Sequence, residues 1–109
     1  SDRAFTLKLL GEHAEAMHEA ERVLSAAPKD AAAWNMKGDL HLLFGEFNAA
    51  VEHYTRAIGL APQAGEHYHD RGMAYLMNYQ LLQGCADLRT AEQGGYAKAS
   101  EAIRYFCNF

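Results

Sequence analysis

The stretch "WNMKGDLHLL", Trp34 to Leu43, decides the fold because it recurs later in the chain in a recognisable form. Shifted by 34 residues, it lies over "YHDRGMAYLM", Tyr68 to Met77. An aromatic residue falls on an aromatic residue, a basic residue on a basic residue, and Gly38 on Gly72. Self-similarity at a fixed period of this size is typical of a helical repeat array.

The same register reaches back to the start of the chain. Six residues fall on identical residues 34 positions earlier: Gly45, Glu46, Ala50, Arg56, Ala61 and Pro62 lie over Gly11, Glu12, Ala16, Arg22, Ala27 and Pro28. We therefore predict one array over residues 1–96. Its three units lie at about 1–30, 31–64 and 65–96, and the first unit lacks its opening residues.

In the middle unit, local signals predict two helices joined by a tight turn. Asp30 is a candidate N-cap, and the apolar pattern predicts a first helix over residues 31 to about 44. Gly45 then supplies the left-handed turn that ends this helix. A second helix is predicted from about 47 to 60, because Pro62 cannot continue it.

The third unit departs from this pattern at its turn and at its end. Tyr79 stands where the turn glycine would recur, so we predict that Asn78 adopts the left-handed conformation instead. Gly94 and Gly95 replace the end of the second helix. The tail, residues 97–109, is predicted to be a capping helix that covers the exposed flank of the third unit. Its packing face would carry Ala99, Ala102, Ile103 and Phe106.

The middle unit resembles the tetratricopeptide repeat, a two-helix unit of 34 residues. The residues that carry the resemblance are Trp34, Lys37, Gly38, His41, Gly45, Ala50, Tyr54, Ala57 and Pro62. The third unit resembles it through Tyr68, Arg71, Gly72, Tyr75 and Ala91, and the first through Leu7, Gly11, Ala16, Val23 and Pro28. The resemblance implies an all-α α-solenoid of about three helix-turn-helix repeats, the first one truncated, plus a C-terminal capping helix.

The resemblance also assigns structural roles to two residues of the opening stretch. Gly38 is expected at the closest approach of the two helices, opposite small residues such as Ala50, where a β-carbon would push the pair apart. Trp34 is expected to pack at the junction with the preceding unit. Neither residue is therefore predicted to contact a partner.

The resemblance implies that the chain recognises a partner. Members of the family hold peptides or partner segments in a concave groove, which is lined mainly by the first helix of each unit. The groove-facing positions carried over to this sequence are Phe5, Lys8, Asn35, Asp39, Leu42, Glu66, His69, Asp70, Met73 and Met77, with Leu9, Leu43 and Leu76 beside them. For the last three leucines, the alternative is shielding by packing between neighbouring helices.

Carboxylates outnumber cations among these groove positions. Because Asp39, Glu66 and Asp70 face only Lys8, we expect a partner segment with basic and apolar residues. Family members that clamp the acidic C-terminal tails of heat-shock chaperones use Lys, Asn and Arg side chains, since a carboxylate needs charge-assisted donors. Glu66 and Asp70 stand where those cations are expected, so no such clamp is predicted.

A second functional class is self-association. An open solenoid end exposes apolar surface, which favours contact with another copy. The candidate contacts are the truncated first unit and the terminal aromatic cluster of Tyr105, Phe106 and Phe109. The chain would then be a scaffold that assembles into a homo-oligomer through its ends.

Several other functions are disfavoured by the composition. The formal charge is -4 and the basic residues are spread along the chain, so neither nucleic acid nor a membrane surface is an expected partner. His67 and His69 point to different sides of a helix, so no metal site and no cofactor are predicted. We find no nucleophile with a base and no phosphate loop, which predicts that the chain is not an enzyme.

The two cysteines, Cys85 and Cys107, show neither metal-ligand spacing nor the density of a disulfide scaffold. They are predicted to be buried free thiols in a reducing compartment. No signal peptide and no apolar run long enough to span a bilayer is present in the sequence. The expected location is cytoplasmic.

Overall fold

The computed structural model describes the backbone of residues 2–108 and the side chains of residues 11–108. All secondary structure within these limits is helical: α1 Asp2–Ala26, α2 Ala31–Leu43, α3 Phe47–Leu60, α4 Gly65–Met77, α5 Leu81–Gln93 and α6 Ala97–Phe106. Each helix packs against the next one along the chain, and α4 also contacts α2 and α6. This all-α solenoid confirms the predicted fold class.

The helices of the middle unit begin and end close to the predicted residues. Asp30 caps α2, and its Oδ1 accepts a hydrogen bond from the backbone N–H of Ala33 at 3.2 Å. The second helix, α3, has the predicted bounds. Local cap and turn chemistry therefore determines both helices.

The turns that follow α2, α4 and α5 share one geometry. Each places one residue in the left-handed region: Gly45 at φ 75°, Tyr79 at φ 61° and Gly95 at φ 87°. In each turn, the next N–H donates to a carbonyl five residues earlier, as from Glu46 to His41 at 2.9 Å. This is the hydrogen bond of a Schellman motif, which closes the helix end.

The prediction that Asn78 would replace the turn glycine is wrong. Asn78 has φ -95°, and the left-handed residue is Tyr79 itself. The turn is fixed by the bond from the Gln80 N–H to the Tyr75 carbonyl at 2.9 Å, so position 79 must adopt this conformation whatever its residue type. The Tyr79 side chain is 92% exposed and packs against nothing that would favour another turn.

The first unit differs from the two-helix prediction. A single helix, α1, runs through Gly11 without a turn. Glycine permits a left-handed turn but does not impose one. Apart from the backbone of its own helix, no described neighbour lies within 4 Å of the position that a β-carbon would take at Gly11, so no close approach requires a glycine there.

Gly38 lies at the closest approach of α2 and α3, as predicted, but its nearest neighbour is Tyr54 and not Ala50. A β-carbon at position 38 would lie 2.5 Å from Cε1 of the Tyr54 ring. That ring is fully buried, and its hydroxyl donates a hydrogen bond of 2.5 Å to Oδ1 of Asp39. The glycine therefore makes room for a tyrosine whose hydroxyl reaches Asp39 of α2.

The core consists of two clusters of small and medium-sized side chains. One cluster lies between α3 and α4 and contains Ala50, Tyr54 and Ala74. The other joins α5 to α6 and contains Cys85, Leu88, Ala91, Ala99, Ala102 and Cys107. Because the second cluster draws on both helices, α6 is packed onto the body of the solenoid.

The packing face of α6 agrees with the prediction at three of four positions. Ala99 and Ala102 are buried, and Ile103 packs against their cluster. Phe106 is about half exposed, so its predicted burial is wrong. The helix ends at Phe106, and the buried position at its end is taken by Cys107.

The prediction of free thiols is also wrong. Cys85 and Cys107 form a disulfide, with their Cα atoms 5.7 Å apart, which links α5 to the end of α6. The two residues are 22 positions apart, and only packing of α6 onto α5 brings them together. Disulfides are typical of oxidising compartments, whereas the sequence predicted a reducing one. The cytoplasmic location stays a prediction.

Candidate functional site

The groove positions predicted from the sequence lie on α1, α2 and α4. Phe5 and Lys8, with Leu9, belong to the part of α1 whose side chains lie outside the described residues. The remaining positions lie on α2 and α4, which contact each other across the groove. We call the surface formed by Asn35, Asp39, Leu42, Glu66, His69, Asp70, Met73 and Met77 the groove surface.

A buried hydrogen-bond network joins the two helices at one end of the groove surface. Asn35 is 6% exposed, and its Nδ2 lies 2.9 Å from Nδ1 of His67 and 3.1 Å from Oδ2 of Asp70. Because a carboxylate only accepts, the amide nitrogen must be the atom that faces Asp70. Both amide hydrogens are thereby used within the chain, so Asn35 orients Asp70 and ties α2 to α4.

His69 extends this network towards the C-terminal helices. Its Nδ1 lies 3.0 Å from Oδ1 of Asp70, and its ring is 5.0 Å from the ring of Tyr96. Tyr96 is the N-cap residue of α6. The end of the third unit therefore contributes an aromatic wall to the groove surface.

The pKa of Asp39 is raised above its ordinary value. Burial of part of its carboxylate raises its pKa most, and the negative charges of Asp70 and Glu66 raise it further, whereas the Tyr54 hydrogen bond lowers it. The pKa of Tyr96 is raised by burial and then by the same carboxylates, Asp70, Glu66 and Asp39. The three acids therefore lie close enough to repel one another.

No lysine or arginine among residues 11–108 forms an ion pair with these three carboxylates. The surface is thus a local centre of negative charge, whose chargeable neighbours are His69 beside Asp70 and His67, which lowers the pKa of Asp39. Cations bind favourably where several carboxylates converge without a counter-charge. The arrangement can attract a positively charged group but contains no nucleophile with an adjacent base.

The apolar members of the groove surface divide into exposed and packed side chains. Met77 is 48% exposed, and the neighbouring Leu43 is 61% exposed, so shielding does not apply to Leu43. Leu42 packs against the Tyr54 cluster, whereas Met73 and Leu76 pack against the cluster around Leu88. The accessible apolar surface therefore lies at the last turns of α2 and α4.

Two negative findings apply to the described part of the chain. No group of three or more His, Cys, Asp or Glu side chains there could hold a metal ion. None of the described helices combines the length and the hydropathy that crossing a bilayer requires. The absence of a bound metal or cofactor stays a prediction.

The family model for the tetratricopeptide repeat matches residues 31–64, which comprise α2, the turn at Gly45 and α3. Residues 31–64 are therefore similar to a tetratricopeptide repeat. The resemblance found in the sequence is thereby confirmed. No curated protein sequence matches the chain.

Two solved structures share the fold of this chain. The first TPR of Spaghetti (RPAP3), bound to the HSP90 peptide SRMEEVD, matches with a TM-score of 0.73 at 16% identity, over 94% of this chain and 89% of that chain. The MamA RS-1 ArsTM double mutant matches with a TM-score of 0.67 at 24% identity, over 83% of this chain and 51% of that chain. At these identities, the likeness establishes the fold.

Sequence reasoning missed two residues that shape the groove surface. His67 is not among the groove positions carried over from the family, and its acceptance of a hydrogen bond from Asn35 depends on the packing of α4 against α2. Tyr96 falls where Pro62 recurs in the 34-residue shift, so the repeat pattern gave no reason to expect it in the groove. Its aromatic type at the start of the last helix was the available signal.

Proposed function

We propose that the groove surface binds an extended segment of a partner protein that carries basic and apolar residues. The observation that carries the proposal is the grouping of Asp39, Glu66 and Asp70 on facing helices without an ion pair to any described lysine or arginine. Burial raises the pKa of Asp39 most, and Asp70 and Glu66 raise it further. A lysine or arginine side chain of the partner would relieve this repulsion. The chain would thus act as a non-catalytic interaction module.

The other members of the groove surface would have supporting roles. Asn35 would orient Asp70 and would not itself contact the partner, because its amide hydrogens are already used. His69 would donate or accept a hydrogen bond beside the Tyr96 ring. Met77, with Leu43, would contact apolar side chains, and methionine adapts readily to different ligands. Leu42 and Met73 would form the floor of the groove.

The structural relative with a bound peptide supports the class of function. Spaghetti (RPAP3) was solved with the acidic HSP90 peptide SRMEEVD, and it shares the fold of this chain. The charge of the groove surface differs from what an acidic tail requires, because Glu66 and Asp70 cannot donate charge-assisted hydrogen bonds to a carboxylate. The partner proposed here is therefore of the opposite charge. The contributions of Phe5 and Lys8 stay predictions.

The proposal is tested with a labelled peptide of alternating lysine and leucine residues, blocked at both ends, whose binding is followed by fluorescence anisotropy. Replacing Asp39→Asn and Glu66→Gln together should weaken binding by roughly tenfold at low salt. The matched control is Glu21→Gln with Glu52→Gln, which removes two exposed carboxylates outside the groove surface. Equal affinity for all three proteins would contradict the proposal.

Self-association is a second candidate function. Tyr105 and Phe106 are exposed at the end of α6 with their rings 6.5 Å apart, and Leu81 and Leu82 are exposed at the start of α5. We would expect the mass measured by light scattering to rise with concentration and to fall when Tyr105 and Phe106 are replaced by serine. A constant monomer mass contradicts this function. The absence of a nucleic-acid partner and the cytoplasmic location stay predictions.

A further inference from the structure

A cleft of about 960 Å³ opens on another side of the molecule, between α2, α3 and the loop that precedes α2. Three of its lining residues are the cations Lys29, Lys37 and Arg56. We call this cleft the basic furrow. Lys37 and Asn35 are two residues apart on α2 and therefore point about 200° away from each other. The basic furrow and the groove surface thus occupy different faces of the same helix.

Trp34 forms a rigid wall of the basic furrow. Its Nε1 donates a hydrogen bond of 3.1 Å to the carbonyl of Pro28, which holds the indole in place. Lys37 Nζ lies 5.5 Å and Arg56 Cζ lies 5.2 Å from the ring centroid. The indole therefore positions two cations, whose charged ends remain available because stacking on a ring uses none of their N–H donors.

In the third unit, the cation that corresponds to Lys37 is neutralised by an acidic residue of the same chain. Thirty-four residues after Lys37, Arg71 forms two hydrogen bonds to Asp87, at 2.7 and 2.9 Å. The residue of the furrow that corresponds to Asp87 is His53. Lys37 therefore lacks the acidic partner that its counterpart has.

At two further positions, the furrow has a cation where the third unit has a neutral residue. Lys29 stands where the third unit has Gln63, and Arg56 stands where it has Thr90. No ion pair to Lys29, Lys37 or Arg56 occurs within the part of the chain whose side chains are described. The furrow carries one acid, Glu52, on its exposed rim. It is therefore a region of positive charge on a chain whose formal charge is -4.

The field of these cations is visible at His53. Burial lowers the pKa of His53 first, and Lys37, His41 and Arg56 lower it further, whereas Glu52 acts in the opposite direction. Lys37 and Arg56 therefore act on the pKa of His53 in the direction expected of neighbouring cations.

The shape of the furrow matches a peptide better than a free anion. Its lining residues on α3 run from Val51 to Leu60, a distance of about 14 Å along the helix axis at 1.5 Å per residue. About four residues of extended chain cover that distance. Apolar side chains, including Val51, Leu60 and Pro28, line it together with the cations. An extended segment with both acidic and apolar residues complements this lining.

We propose that the basic furrow binds an extended acidic segment of a partner protein, whose carboxylates pair with Lys37, Arg56 and Lys29 and whose apolar side chains contact Val51 and Leu60. This site is separate from the groove surface and stands independently of the function proposed for it. The chain would then carry two binding faces of opposite charge. Recognition uses side-chain carboxylates, so it does not require a free C-terminus in the ligand.

The test uses an acetylated and amidated peptide that alternates Glu-Asp pairs with leucine. Trp34 is the only tryptophan of the chain, so its fluorescence reports binding in the furrow directly. We expect a saturable change in this emission, and roughly tenfold weaker binding after Lys37→Gln with Arg56→Gln. Glu52→Gln should tighten binding because it removes the one acid of the rim.

Matched controls separate this site from general attraction between opposite charges. Lys98→Gln with Arg104→Gln makes the same change in net charge on the exposed face of α6 and should leave the affinity within about twofold. The groove variant Asp39→Asn with Glu66→Gln should retain binding of the acidic peptide. Circular dichroism establishes that each variant is folded. If a furrow variant does not fold, Lys29→Gln takes its place, because Lys29 lies in an exposed loop.

Three results would overturn the proposal. These are the absence of saturable binding, an equal loss of affinity in the furrow and α6 variants, and a loss of affinity in the groove variant alone. A further measurement needs no peptide: quenching of Trp34 by iodide should weaken, relative to quenching by caesium, when Lys37→Gln and Arg56→Gln are introduced, because the native furrow concentrates anions. An unchanged ratio of the two quenching constants would contradict the positive potential on which the site depends.

Discussion

Arg71 donates two hydrogen bonds to the carboxylate of Asp87, from Nε at 2.7 Å and from Nη2 at 2.9 Å. The pair joins α4 to α5, and both side chains are largely buried. Arg71 also donates a third hydrogen bond, to Thr55 of α3 at 3.2 Å. One side chain therefore links three consecutive helices at the place where the preceding unit has the open basic furrow.

We predict that Asp87→Asn lowers the free energy of unfolding by about 2 to 3 kcal/mol. Removing one partner of a largely buried pair leaves the other charge uncompensated, which is more costly than the loss of an exposed ion pair. The quantity is measured by urea denaturation followed by circular dichroism. Glu21→Gln on exposed α1 serves as the control and should change stability by less than about 0.5 kcal/mol. Similar values for both variants would refute the role assigned to the pair.

Tyr79→Gly is predicted to raise the free energy of unfolding by about 1 kcal/mol. Tyr79 is the one non-glycine residue with positive φ among the described residues, and its exposed side chain contributes no packing. Glycine adopts this conformation without the steric penalty. Thermal and urea unfolding give the comparison.

The control for Tyr79 is the matched position Gly45, which has φ 75° and no atom within 4 Å of its absent β-carbon. Gly45→Ala should lower stability by about the amount that Tyr79→Gly gains. An alanine at position 45 would have the backbone strain of a positive φ, but its β-carbon would clash with no neighbour. If both substitutions shifted stability in the same direction, backbone strain at these turns would not be the cause.

The sequence predicts those parts of the fold that depend on short-range chemistry. The bounds of α3, the Asp30 cap and the Gly45 turn all follow from residue types within a few positions of one another. The repeat period adds the pairing of α2 with α3. Tyr79 departs from the rule that a glycine or asparagine occupies a left-handed turn position. The hydrogen bonds of the turn hold Tyr79 at positive φ, although tyrosine prefers negative φ.

The site was less predictable because its groups are distant in sequence. Asn35 has the polar, groove-facing position that a ligand contact would have, yet its amide is used by His67 and Asp70, 32 and 35 residues away. The basic furrow has the same origin, since only the structure places Lys29 beside Arg56. Repeat periodicity locates helices, but it does not reveal which polar groups are already satisfied.

Cys107→Ser is predicted to lower the free energy of unfolding by about 3 kcal/mol under oxidising conditions. The disulfide to Cys85 closes a loop of 22 residues and holds the end of α6 against α5. A reductant should lower the stability of the native chain towards that of the variant and leave the variant unchanged. Titration of thiols in the urea-unfolded, unreduced protein provides the direct control. Two reactive thiols there would restore the free-cysteine interpretation.

The stability of the fold should decrease as the pH falls below about 6.5, in part because of His53. Its pKa is lowered from 6.5 by burial, then by Lys37 and His41 of α2 and by Arg56 of α3, against the opposing effect of Glu52. The unfolded chain therefore binds a proton at His53 more readily than the folded chain does. By linkage, the stability that neutral His53 contributes is fully present above pH 6.5. This stability is lost as the pH falls from the ordinary pKa of histidine to the lowered pKa of the folded chain.

The measurement compares melting temperatures of the native chain and of His53→Gln between about pH 8 and pH 5. Because the other histidines titrate in both proteins, the difference between the two curves isolates position 53. We expect the native chain to lose stability faster than the variant on acidification. Parallel curves would show that the pKa of His53 is not lowered in the folded chain. If an acidic peptide occupies the furrow, its carboxylates should offset those cations and shift the acid loss of stability to lower pH.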